Sequence, residues 1–237
     1  MISVCLASYN GIKYIKDQID SILVQLDGSD ELIISDDGSS DGTAEFLQEY
    51  QKAHPNISVL DGPQKGVIKN FENAISAAKG DYIFLSDQDD IWEGCKVQRV
   101  IETFETSGTS CILVLHDAEI VNSGLEPLGE SLYQFRNSRP GLLRCLWKNP
   151  YLGCCMAFRS SLKREVLPFP DGIEMHDWWI ALNAECSGRA VQIPDKLIKY
   201  RRHEDNVSNM HHHPLKRMIH NRLVFIKELL KRRTALQ

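Results

Sequence analysis

Asp87-Gln88-Asp89-Asp90 sets three carboxylates within four residues, one residue after the apolar run Tyr82-Ile83-Phe84-Leu85. Like charges that close raise one another's pKa and repel unless a cation joins them. Hard oxygen ligands select Mg²⁺ or Mn²⁺, which keep waters and take further ligands from substrate phosphates. A solvated acidic turn is the plain alternative. The place at a strand end, together with a second pair at Asp36-Asp37, favours the cation. Other common chemistries lack their residues. There is no GxGxxG turn, no GxxxxGK[ST] loop and no GxSxG elbow. The end of the first strand carries Ala7-Ser8 where an aspartyl-phosphate enzyme needs its nucleophile. His211-His212-His213 reads as a polar loop, because adjacent side chains cannot all face one ion.

The elements that must hold these groups alternate. Ile2–Ala7 reads as a buried strand, followed by helical spacing through Ile12, Ile15, Ile19, Ile22, Leu23 and Leu26. Glu31–Ser35 is a second strand closed by the turn-rich run Asp36–Gly42. Thr43–Ala53 is a helix, Ile57–Leu60 a third strand, and Val67–Lys79 a helix stopped by Gly80. Asp81–Leu85 is the fourth strand. This order implies a mainly parallel sheet with helices on both faces, binding ligands beyond the carboxyl ends of its strands. Ser8-Tyr9-Asn10, Asp36-Asp37-Gly38 and Asp87–Asp90 then converge on one crevice. The second half predicts a strand at Cys111–His116, a polar loop over Asn122–Pro140, an apolar stretch at Gly153–Phe158 and a helix from about His176. Two short strands follow at Val191–Ile193 and Leu197–Arg201.

Composition describes an ordinary soluble chain: 43% hydrophobic residues and a net charge of −5, which disfavours a nucleic-acid partner. No apolar run is long enough to span a membrane. The amino end has no basic region leading into an apolar one, so no signal peptide is expected. Seven cysteines, an odd number without CxxC spacing, suit a reducing cytoplasm, where Asn56 and Asn206 would not serve as glycosylation sites.

Tyr9-Asn10, Ile34-Ser35-Asp36-Asp37-Gly38-Ser39-Ser40-Asp41-Gly42-Thr43, Lys69-Asn70-Phe71 and Leu85-Ser86-Asp87-Gln88-Asp89-Asp90-Ile91-Trp92 occur in an order that resembles the family-two glycosyltransferases of the GT-A fold. The DQDD form is most similar to the rhamnosyltransferase-like branch, which builds bacterial cell-surface polysaccharides. Gly153-Cys154-Cys155-Met156-Ala157-Phe158 resembles the family's acceptor-side segment. His176-Asp177-Trp178-Trp179 falls at its catalytic Asp, and Tyr200–Asn206 resembles its late YRxHxxN motif.

The resemblance implies an α/β fold: a single GT-A domain with a mainly parallel, Rossmann-like central sheet and a C-terminal amphipathic helix. Residues 1–90 would form the nucleotide-binding half, 91–210 the acceptor-side half, and 211–237 the basic helix. It implies that Ala7, Ser8, Tyr9 and Asn10 line the base and ribose pocket, which Lys69 and Asn70 close. Asp36 would accept the imide N–H of uracil or thymine. Asp87 would reach the ribose or a metal-bound water, Gln88 would lie on the nucleotide side, and Asp89, with His203, would hold Mg²⁺ or Mn²⁺ against the leaving diphosphate. Asp177 would be the general base, with Gly153, Cys154, Met156, His176 and Trp178 on the acceptor side. A turn cap for Asp36, a helix cap for Asp177, a solvated charge for Lys69 and a core place for one of the two tryptophans are the alternatives.

The implied activity is inverting, metal-dependent transfer of a sugar, rhamnose by branch resemblance, from a dTDP- or UDP-sugar to a glycan or lipid-linked glycan. A glycoside hydrolase also wants paired carboxylates but needs neither nucleotide pocket nor metal. A catalytically inactive sugar-nucleotide-binding subunit is the non-enzyme alternative. From Leu215 to about Arg233, an apolar stripe of Met218, Ile219, Leu223, Ile226 and Leu230 runs between seven basic residues. Such a helix either lies on the inner face of the cell membrane or packs on protein. Nothing in the sequence assigns an oligomeric state.

Overall fold

The computed structural model describes residues 1–187, 189–204 and 215–236. Asn206 and His211-His212-His213 lie outside them. The first half runs β1 (Ile2–Ser8), α1 (Ile15–Leu23), β2 (Glu31–Asp36), α2 (Thr43–Ala53), β3 (Ile57–Asp61), α3 (Val67–Ala77) and β4 (Tyr82–Ser86). There follow β5 (Ile91–Trp92), α4 (Lys96–Thr106), β6 (Cys111–Asn122), β7 (Pro127–Ser131), α5 (Leu132–Arg136), α6 (Leu142–Trp147), β8 (Met156–Arg159), α7 (Lys163–Val166), α8 (His176–Ser187), β9 (Arg189–Arg202) and α9 (Leu215–Leu236).

One sheet carries the α/β fold, in the order β3-β2-β1-β4-β8-β6-β9-β5, with β7 added to β6. β3, β2, β1 and β4 are mutually parallel, as are β6 and β9. β8 runs antiparallel between β4 and β6. Helices cover both faces, so successive residues of one strand enter opposite cores. Val4 and Leu6 pack with Ile15, Ile19 and Ile22 of α1 and with Val100 and Phe104 of α4. Cys5 packs with Phe71, Ala74 and Ile75 of α3 and with Trp179 and Ile180 of α8. Each such fully buried aliphatic side chain contributes about 1.5–3 kcal/mol. The order reverses at β1, which has β2 on one side and β4 on the other, and a crevice opens beyond such a switch point.

Four local expectations change. α3 stops at Ala77 with Ala78 extended, not at Gly80. Gly80 is required instead by close approach, since a Cβ there would lie 2.6 Å from the Ser3 amide nitrogen. The expected loop at 122–140 contains β7 and α5, the latter started by a capping box between Ser131 and Gln134. β6 continues six residues past His116, and the two short strands near 191–201 are one strand, β9. Both run through irregularities in register around His116 and Asp117, which accommodate Pro194. Among the described residues, no helix is long and apolar enough to cross a membrane.

Candidate active site

The three polar strand ends meet. Asp37 donates its amide to the Ser8 carbonyl (2.8 Å), Asn10 to the Ser39 hydroxyl (2.8 Å), and Ser40 to Asn10 Oδ1 (2.8 Å). Asn10 holds a left-handed backbone, φ 49°, tolerated by Asn better than by most residues. Gln88 clasps the loop from the β4 side. Its Oε1 accepts the Tyr9 amide at 2.8 Å and its Nε2 donates to the Tyr9 carbonyl at 2.9 Å. The Tyr9 ring is left 57% exposed on the rim. Ala7 and Ser8 are buried within β1, the Ser8 hydroxyl without a hydrogen-bond partner.

Asp36 ends β2 with both carboxylate oxygens on Ser39, at 2.9 Å to its amide and 2.6 Å to its hydroxyl. It caps this turn while its remaining lone pairs can still accept. Asn70 is buried and pegs two strand ends, donating to the Ser8 and Ser35 carbonyls at 3.1 and 2.8 Å. Lys69 is tied to Glu72 (2.7 Å) and the Phe169 carbonyl (3.1 Å), with Asp171 at 3.8 Å.

The acidic turn splits into two clusters. Asp89 faces His203 Nε2 at 2.8 Å on the rim. Asp87 and Asp90 turn inward, with the Cys154 sulfur within 4.8 Å of a carboxylate oxygen from each. Burial, then the charges of Asp89 and Asp177, pushes the Asp87 carboxyl up to about 7. Burial, then Asp89 and Asp87, pushes Asp90 well above the usual carboxylate range. Asp90 Oδ1 accepts the Arg201 amide at 3.0 Å, while Oδ2 is buried without a hydrogen-bond partner. Crowded carboxylates and an orphaned oxygen fit a hard divalent cation, Mg²⁺ or Mn²⁺. A hydrogen bond with Cys155, and then burial, push the Cys154 thiol well above the usual thiol range.

The acceptor-side segment comes up against this turn. Gly153 lies so near α8 that a Cβ would stand 2.9 Å from His176 Nε2 and 3.6 Å from Asp177 Cβ. Asp177, in the first turn of α8, accepts from the Trp178 amide (2.6 Å) and from Asn149 Nδ2 (3.1 Å). Burial raises its carboxyl to about 6, against the lowering effects of Arg136 and these hydrogen bonds. Such a value suits a base poised near neutrality. His176 is buried against Phe71, ring centroids 4.0 Å apart, with neither ring nitrogen hydrogen-bonded. Burial drives its pKa down to about 3, so it is neutral. Met156 is a core residue of β8. Trp178 and Trp179 are both buried, donating their indole N–H groups to the Cys145 and Val166 carbonyls. Neither presents a ring to solvent.

Lys96 and Arg201, which sequence reasoning left without a role, hold the site together. Lys96 is fully buried, its Nζ 2.8 Å from the Cys154 carbonyl and 3.9 Å from the Trp92 ring centroid. Its signal was a lysine in the stripe Lys96, Val100, Phe104, where a core residue is due. Arg201 donates from Nε to the Asp89 carbonyl (2.8 Å) and from Nη1 to the Ser123 carbonyl (2.7 Å), fastening the acidic turn to β9.

With this geometry in place, comparison with known proteins is direct. The pattern of glycosyl transferase family 2 matches residues 3–167. The chain is 29% identical over 218 residues to the dTDP-rhamnosyl transferase RfbG of Shigella flexneri, covering 85% of this chain and 72% of that protein. It spans 66% of the length of an uncharacterized glycosyltransferase of Nostoc, at 26% identity over 86% of this chain, so part of such relatives lies beyond the match. Its fold superposes on residues 1–349 of TarS from S. aureus, solved with UDP-GlcNAc, with a TM-score of 0.75 at 18% identity over 97% of this chain and 66% of that one. A mannosyltransferase of Pyrobaculum calidifontis, solved with GDP-Man and Mn²⁺, gives 0.66 at 20% identity over 82% and 55%. The parallel half-sheet, the strand-end crevice with its acidic turn and the family match over most of the chain agree, and the chain belongs to glycosyl transferase family 2, with the GT-A fold.

Proposed function

We propose that this chain moves a sugar from a dTDP- or UDP-sugar onto a hydroxyl of a glycan or lipid-linked glycan, with inversion at the anomeric carbon. The observation that carries the reading is the meeting of the acidic turn with Asp177. Asp87 feels the Asp177 charge, and Gly153-Cys154 touches both Asp177 and the carboxylates. A base and a diphosphate site at one crevice suit a single displacement.

Residues 1–90 serve as the nucleotide half and 91–210 as the acceptor half. Tyr9 offers its exposed ring to the base, and Asp36 accepts the imide N–H. Asp177 takes the proton of the acceptor hydroxyl as that oxygen attacks the anomeric carbon and the diphosphate departs. Asp87, Asp89 and Asp90, with His203, would hold Mg²⁺ or Mn²⁺, which when bound neutralises charge on the leaving diphosphate. The name of the Shigella relative supports dTDP-rhamnose as donor. The seven cysteines are all unbridged, which suits the cytoplasm.

The test is mass-spectrometric detection of nucleoside diphosphate released from a panel of thymidine, uridine, guanosine and adenosine donors. Release from thymidine or uridine donors supports the reading; turnover confined to the other two, or none at all, contradicts it.

A further inference from the structure

α9 uses only one of its faces to pack. Phe225 and Leu229 are buried in the core of α8, Phe225 stacking near Trp178 and Trp179, and Asn221 donates to Glu174 at 2.6 Å. A second apolar face, Ile219, Leu223, Ile226 and Leu230, points to solvent, with Leu223 60% and Leu230 64% exposed. α6 extends it with Leu143 and Trp147, 82% and 65% exposed. The two helices are fastened edge to edge, since Arg222 donates from Nε and Nη2 to the Trp147 carbonyl at 3.1 and 2.6 Å. A groove of about 340 Å³ runs between them.

Cations border this face. Arg144 on α6 and Lys148 just after it are exposed, as are Lys216, Lys227 and Lys231 on α9. α9 carries seven basic residues and one acid, Glu228, in a chain whose net charge is −5. Glu228 is itself paired with Lys231 at 2.6 Å.

We propose that the joint face of α6 and α9 docks the protein on an anionic phospholipid surface, with Trp147, Leu143, Leu223 and Leu230 entering the headgroup–acyl boundary. Apolar side chains rimmed by lysine and arginine complement such a surface, and an indole with one apolar and one polar side favours that depth. A second copy fits less well, because a two-fold contact would bring the same cations together.

Trp147 supplies its own readout, because Trp92, Trp178 and Trp179 are buried. The full chain is titrated with vesicles of equal parts phosphatidylglycerol and phosphatidylcholine. Trp147 emission is expected to shift to the blue and to be quenched by brominated acyl chains. Binding should weaken at least about tenfold when salt screens the cations. Leu223→Glu with Leu230→Glu, both exposed and checked for folding by circular dichroism, should weaken it by a similar factor. No response at low salt, a shift that persists in Trp147→Phe, or wild-type binding by the double variant overturns the proposal. A concentration-dependent dimer split by the same substitutions also overturns it and assigns the face to a second copy.

Discussion

Lys96 Nζ donates to the Cys154 carbonyl at 2.8 Å, joining the helix that follows the acidic turn to the segment that abuts Asp177. Burial lowers this lysine to about 8, so it remains largely a cation at neutral pH, with Asp90 and Asp87 among the charges that sustain it. This ammonium lies beside the crowded carboxyls and ties the turn to the Cys154 segment.

A lysine whose folded pKa lies below its unfolded value costs stability while it is charged, and that cost is relieved as pH rises from about 8 to 10.5. The wild type should therefore gain unfolding free energy in urea over that range, and Lys96→Met should lack that gain. The same pH dependence in both proteins would mean that Lys96 is not buried as a cation.

The raised carboxyl of Asp177 fixes the sign of two pH dependences. A base works only when ionised, so kcat/KM should rise with pH through about 6 and level off above it. Asp177→Asn should lose about 10²–10⁴-fold and the inflection with it. A carboxyl whose folded pKa lies above its unfolded value binds its proton more tightly in the native state. That stabilisation is complete below about 4 and lost as pH rises through about 6. The rise from 3.8 corresponds to about 3 kcal/mol. Measured by thermal melts, Asp177→Asn should gain on the wild type by up to that amount between pH 4 and 7; a gain in the opposite direction would refute the assignment.

Gln88 clasps the Tyr9 backbone, and on the proposed reading it would act on the donor through Tyr9. Two hydrogen bonds of about 0.5–1.5 kcal/mol each hold the Tyr9 backbone in place. Gln88→Leu should raise the donor KM about tenfold and leave kcat within about threefold. Initial rates over a range of donor concentration separate the two; an equal fall in kcat would place Gln88 in the chemistry.

Much of this was legible in the sequence where periodicity and turn residues agree. The helix expected at Thr43–Ala53 is α2 to the residue, and the strand-end clusters meet as parallel strands require. β6 and β9 were read short because polar or turn-forming pairs, His116-Asp117 and Pro194-Asp195, interrupt them; bulges let the strands continue. α9 misled in another way. Most of its apolar stripe is exposed, while Leu229 and the buried Phe225, which lies off that stripe, do the packing. Lys96 showed only as a lysine at a core position of α4, because its partners, which give it a role, are distant in sequence.

The central claim, that Asp177 performs the chemistry and the strand-end crevice holds the donor, is most directly tested by measuring binding and turnover on the same variant. Calorimetry of Asp177→Asn with dTDP-rhamnose, alongside mass-spectrometric detection of released dTDP in the presence of Mg²⁺, gives both. The account predicts wild-type donor affinity with turnover reduced by at least about 10². Wild-type turnover by Asp177→Asn, or loss of donor binding equal to the loss of rate, would contradict it.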